Sequence, residues 1–150
     1  MKQFVVMLAA ATALTLGGMS PALATSGTGN ENPNLTVTAS LASRGTPNPD
    51  IAALGDVVDT IVSIKNNKHW TLPPQVEKVR LRVVLQLPSA DKINLSIPVL
   101  VLPEQTLRLA FDFPVSALFP RGLYTLTLDA FAVDEPAAPP SSATVTLTIS

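Results

Sequence analysis

The stretch "FPRGLYTLTLDAF", Phe119 to Phe131, divides into a turn and a strand. Pro120 and Gly122 bend the chain, and then Tyr124, Leu126, Leu128 and Ala130 alternate with Thr125, Thr127 and Asp129. A two-residue period places one set of side chains on each face of an extended strand, so one face is apolar and the other wet. The proline fixes its own φ and the glycine accepts a backbone conformation that side chains disfavour, which turns the chain from one layer to the next. Tyr124 is the single tyrosine, and it enters the strand two residues after Gly122. From there its ring is buried while its hydroxyl reaches back to the loop backbone, the tyrosine corner of two-layer antiparallel domains. The plainer reading of Tyr124 is a buried ring with a hydrated tip.

The same period continues on both sides. Downstream, "ATVTLTIS" sets Ala143, Val145, Leu147 and Ile149 against hydroxyl side chains. Upstream, "QTLRLAFDF" turns Leu107, Leu109, Phe111 and Phe113 inward, and "KINLSIP" does the same with Ile93, Leu95 and Ile97. In "VEKVRLRVVLQLP" Val79, Leu81, Val83, Leu85 and Leu87 alternate with Lys78, Arg80, Arg82, Val84 and Gln86. "VVDTIVSIK" buries Val58, Val62 and Ile64, and "LTVTASLAS" buries Leu35, Val37, Ala39 and Leu41. Seven short alternating strands without a helical pattern predict an all-β chain, a single antiparallel sandwich, with barrel closure as the rival. Prolines 88, 98, 103, 114 and 120 fall at strand ends, where a missing backbone donor does least harm. Two stretches break the rhythm. "RGTPNPDIAALGD" reads as a loop with one helical turn over Ile51 to Leu54. "IPVLVLP", Ile97 to Pro103, is apolar on both faces, which predicts burial within the domain or cover by a partner.

The N-terminal end follows a different logic. Lys2, the apolar run "FVVMLAAATALTLGG" and the small residues of "PALAT" have the order of a secretory signal peptide over 1–24, cut after Ala24. The run is short for a membrane span, and Gly17 and Gly18 break it. Residues 25–34, "TSGTGNENPN", are small and polar, a disordered leader ahead of a sandwich over 35–150. This predicts an exported protein, periplasmic or extracellular, with no membrane span left after cleavage. The chain has no cysteine, so neither a lipid anchor nor a disulfide framework is open to it, and burial alone must hold the fold.

Removal of Lys2 leaves nine basic against eleven acidic residues, no electrostatic footprint for nucleic acid. His69 is the single histidine, so a Ser-His-Asp triad or a multi-histidine metal site would rest on one loop residue. No nucleophile elbow, phosphate loop or calcium-loop spacing occurs, and no cofactor is implied. Asp59, Asp112 and Asp129 take outward strand positions, as a hydrolase with paired carboxylates would need only if they converged. Asp129, Asp134 and Glu135 near one strand end are either a weak cation site or a polar rim. The binding candidates are more concrete. "NNKHWTLPP" carries the single tryptophan, Trp70, beside His69 and Lys68, either as an exposed anchor for a sugar or peptide or as a lid on the sandwich end. Lys78, Arg80 and Arg82 form a basic stripe, with Lys65 as a possible neighbour, fit for acidic polysaccharide or lipid headgroups or else simply solvated.

"GDVVDTIVSIKNN", Gly55 to Asn67, resembles the second strand of secreted bacterial immunoglobulin-like modules, above all the cell-adhesion-related bacterial domain; "FPRGLY" is similar to a later strand of those modules and of fibronectin type III domains. The resemblance implies an immunoglobulin-like sandwich with Pro120, Gly122 and Tyr124 as structural residues. It implies a non-catalytic module that binds a protein or glycan partner at the cell surface. The competing expectation is a structural subunit that self-associates by strand addition through "SATVTLTIS", and a hydrolase working through surface carboxylates is third.

Overall fold

The computed structural model describes residues 22–24, 32–45, 47, 48 and 50–150. Among them are nine strands and no helix: β1 (Ala22–Ala24), β2 (Leu35–Arg44), β3 (Ile51–Ala52), β4 (Val57–Asn66), β5 (Glu77–Gln86), β6 (Lys92–Val101), β7 (Thr106–Pro114), β8 (Gly122–Ala132) and β9 (Ser141–Ile149). They form two sheets, ordered β1-β2-β4-β7 and β3-β9-β8-β5-β6. Every pairing is antiparallel except the two-residue parallel contact of β3 with β9. The chain is an all-β sandwich, and the seven strands read from the alternation are its seven long strands. The segments 1–21 and 25–31, on which most of the expected signal peptide and leader fall, lie outside the described residues. Residues 22–24, at the expected cleavage site, pair with Ala39 to Leu41 of β2.

The core follows from the alternation. Leu35, Val37, Val58, Val62 and Ile64 from one sheet meet Val79, Leu81, Leu128, Ala130, Ala143 and Leu147 from the other, all nearly without solvent contact. β2 lies over β9 and β8, which closes that side of the sandwich. The other side is looser. Leu107, Leu109, Phe111 and Phe113 of β7 are only partly buried, and Ile93 and Leu95 of β6 are exposed by more than two fifths.

Two expectations are overturned by the strand pairing, and a third is narrowed. Ile51 to Leu54 is no helical turn: Ile51 and Ala52 pair with Thr148 and Ile149 as β3. The doubly apolar segment Ile97 to Pro103 is not buried on both sides, because β6 is the edge of its sheet and Leu100 is 65% exposed. "SATVTLTIS" is not a free strand to donate. β9 pairs with β8 from Ser141 to Ile149 and contributes Ala143, Val145, Leu147 and Ile149 to the core.

The opening stretch is a tyrosine corner. The Tyr124 hydroxyl donates to the Pro120 carbonyl at 2.7 Å while the ring sits in the core. Gly122 takes φ of +131°, and a Cβ there would meet the Pro88 ring at 2.9 Å, so conformation and space both require glycine. Burial raises the Tyr124 phenol above its ordinary pKa. Tyr124→Phe is expected to cost about 1 kcal/mol, the low end for a lost hydrogen bond, since Pro120 is exposed and water replaces the donor. Urea unfolding of both proteins checks this, as a lower midpoint at an unchanged slope.

Candidate functional site

Among the described residues, the outer face of the second sheet carries a groove. On that face stand Arg80 and Arg82 of β5 and Ser96 of the neighbouring β6, all exposed, with the half-buried Phe131 and the buried Asp129 of β8. Register sets Arg82 opposite Asp129 on one side and Ser96 on the other, and Arg80 opposite Phe131. The chain then leaves β8 at Ala132 and folds Val133 to Ala138 over the same end of the sheet. The result is an open groove of about 500 Å³, lined by Arg80, Arg82, Ser96, Phe131, Val133 and Glu135, with Pro136 and Ala138 on its rim.

The charges in this groove are unequal. Arg82 is committed: its Nε and Nη2 donate to Asp129 Oδ2 at 3.0 and 2.5 Å, and its guanidinium lies 5.3 Å from the centre of the Phe131 ring. Asp129 is held from behind by the Ser142 hydroxyl at 2.6 Å. Arg82 is thus fixed flat on the sheet, with its charge matched and its Nη1 donors left over. Arg80 is exposed and makes no hydrogen bond or ion pair among the described residues.

At the groove's end Glu135 is also committed. Its carboxylate receives Lys68 Nζ at 2.7 Å and Asn34 Nδ2 at 3.2 Å, and the Lys68 hydrogen bond pulls it below the ordinary carboxylate pKa. Lys68 Nζ also meets Glu77 Oε2 at 2.6 Å, and the two carboxylates raise the lysine above its usual value. Glu77 is almost wholly buried, with a side chain 3% exposed, while Lys68 retains 22%. Glu77 Oε1 and Asn32 Nδ2 have no hydrogen-bond partner in this knot. Asn32 is itself buried and accepts the Asn34 backbone N–H at 2.9 Å, so the chain packs on the sandwich from three residues before β2.

The other sequence candidates are scattered. His69 and Trp70 follow Lys68 in the β4–β5 loop; the His69 ring is nearly all in solvent with Nδ1 3.3 Å from Glu104 Oε1, and Trp70 is 50% exposed. Neither lines the groove. Lys68 is likewise turned into the knot rather than toward a ligand. Lys78 extends the Arg80–Arg82 stripe on β5, but Lys65 does not join it: it stands on β4, in the opposite sheet. Asp59 and Asp112 are direct neighbours across β4 and β7, bridged by Arg44, whereas Asp129 is on the other sheet, so the three carboxylates do not converge. Sequence reasoning missed Ser96, Phe131 and Glu135 as groove residues. The signal for Phe131 was present, since a large aromatic follows Ala130 at an outward position.

No family model matches the chain, and no curated protein is similar to it in sequence. Among solved structures it is similar to the CARDB domain of a Pyrococcus furiosus protein, determined in complex with di-metal ions. The TM-score is 0.53 and the identity 17%, over 79% of this chain and 94% of that one. It is also similar to part of the alkylpurine DNA glycosylase AlkC of Pseudomonas fluorescens bound to DNA, with a TM-score of 0.50 and 7% identity, over 77% of this chain and 30% of that one. At these identities the likeness is one of fold, and it agrees with the all-β sandwich that the two sheets form.

Proposed function

We propose that the chain is an exported, non-catalytic module that binds a glycan at the cell surface through the outer face of β6, β5 and β8. The observation that carries this reading is the groove itself. It joins an apolar wall, made by Phe131, Val133, Pro136 and Ala138, to the donors of Arg80, Arg82 and Ser96. A sugar ring has the same division, with C–H surface on its faces and hydroxyls around its rim, and its recognition needs both within one shallow, preformed site. Arg82 is already immobilised by Asp129 and Phe131, so ordering it on binding costs little. A peptide partner adding a strand would use a sheet edge instead of this face.

A glycan array tests the reading with three proteins. Wild type is expected to retain at least one saccharide class, and Trp70→Ala to retain the same class. Ser96→Trp, which fills the groove from an exposed edge-strand position, is expected to lose it while melting at the wild-type temperature. No retention by wild type, or equal retention by Ser96→Trp, would contradict the reading. Loss on Trp70→Ala alone would move the site to the β4–β5 loop. The self-association reading keeps one specific support: among the described residues, β3 pairs with the outer edge of β9 only at Thr148 and Ile149, and no other strand pairs with that edge along Ser141 to Leu147. Light scattering across a concentration series separates the two, with a constant monomer mass expected for the glycan-binding module.

A further inference from the structure

The charge inventory of the groove carries the identity of its ligand one step further. Of the three ionic side chains lining it, Arg82 is matched by Asp129 and Glu135 by Lys68. Arg80 alone is unmatched. Lys78, the next outward residue on β5, also has no side-chain hydrogen bond or ion pair among the described residues, but it does not line the groove, so within the groove the unspent charge is one guanidinium.

We propose that the groove selects an acidic sugar and seats one carboxylate of it on Arg80. This inference rests on the glycan-binding reading of the same face. Register puts Arg80 directly opposite Phe131 on β8 and Pro98 on β6, and Arg80 lines the groove together with Phe131. Arg82 and Ser96 are the next outward pair along the same two strands, one step of the pleat away. A uronic acid residue fits this layout. Its C5 carboxylate takes the planar fork of Arg80 in a bidentate pair, its ring lies along Phe131 and the Val133–Ala138 wall, and its hydroxyls reach Arg82 Nη1 and Ser96 Oγ. The planar fork also separates the ligand from a simple counter-ion, because it recognises a geometry and not only a charge. With one ion pair formed, affinity falls with salt by the screening of a single contact rather than with the steep slope of a polyanion-binding surface.

The experiment is calorimetric titration with trigalacturonic acid, with the same trisaccharide after reduction of its carboxyl groups, and with tetraglutamate. Wild type is expected to bind trigalacturonic acid and to lose at least tenfold in affinity toward the reduced sugar. Arg80→Gln is expected to lower affinity for the acidic sugar ten- to a hundredfold and to lower the weak affinity for the reduced one by much less, so that the preference between the two sugars is lost. Arg80→Lys should recover only part of the loss, since an ammonium cannot offer the fork. Equal binding of both sugars, or no effect of Arg80→Gln, overturns the acidic-ligand inference while the glycan-binding reading stands. Binding of tetraglutamate in preference to the uronate overturns it in favour of an acidic peptide. If no sugar binds here and the array is blank, both fall together.

Discussion

Lys68→Met lowers the stability of the domain by about 3–5 kcal/mol, the usual cost of removing one partner from a buried ion pair. The asymmetry of the knot sets the size. Glu77 is almost fully buried with Oε1 already unpartnered, so loss of the ammonium strands a carboxylate with no water to replace it. Glu135, the other anion on Lys68, keeps about a third of its side chain in solvent and recovers hydration. The double variant Lys68→Met, Glu77→Leu is therefore expected to regain most of the loss, because a buried pair and an apolar replacement differ little in net free energy. Thermal unfolding of the two variants at pH 7 checks this, and equal destabilisation of both would contradict it. The pH dependence has a definite sign. Lys68 lowers the folded pKa of Glu135, so that contribution is complete above the ordinary carboxylate value and is lost as pH falls through the folded one. Acidification should then narrow the gap between wild type and Lys68→Met.

Leu128→Ala is expected to cost about 3–5 kcal/mol, whereas Leu109→Ala costs about 1–2 kcal/mol, although each removes the same atoms. Leu128 has no solvent exposure and stands on β8, flanked by β9 and β5 and roofed by β2. Its neighbours are fixed on every side and cannot collapse into the space left. Leu109, on the edge strand β7, faces the open side of the sandwich and is only partly buried. Urea titrations of both variants measure the difference. Equal losses would mean that the β6–β7 side is as tightly closed as the β2–β9 side.

The alternation made the long strands and the inner face legible, because a strand in a sandwich has one dry side and the period of two reports it directly. Tyr124 and Gly122 were legible for a similar reason: each meets a local backbone requirement within a few residues of itself. What escaped depends on partners distant in sequence. A two-residue strand has no period to show, so Ile51 and Ala52 take their structure from Thr148 and Ile149. Doubly apolar residues suit a central strand buried on both faces, yet β6 is an edge, and nothing local to Ile97–Val101 distinguishes the two. Lys65 and Lys78 carry the same charge and flank the same loop, but strand order sends them to opposite sheets. The polar residues Asn32 and Asn34 look like tether until Glu135 and the start of β2 are placed beside them. The groove required the pairing of β5 with both β6 and β8, which is why Arg80 and Arg82 were found early and Ser96 and Phe131 were not.

The claim that matters most is that recognition occurs on the outer face of β6, β5 and β8, at Arg80. Two-dimensional amide NMR of the labelled domain, titrated with trigalacturonic acid, examines it residue by residue. The expected result is a set of saturable shifts confined to Arg80, Arg82, Ser96, Phe131 and the Val133–Ala138 segment, with the Trp70 loop and the first sheet silent. Shifts centred on His69 to Val76, on the open edge of β9, or spread evenly over exposed lysines and arginines would contradict it.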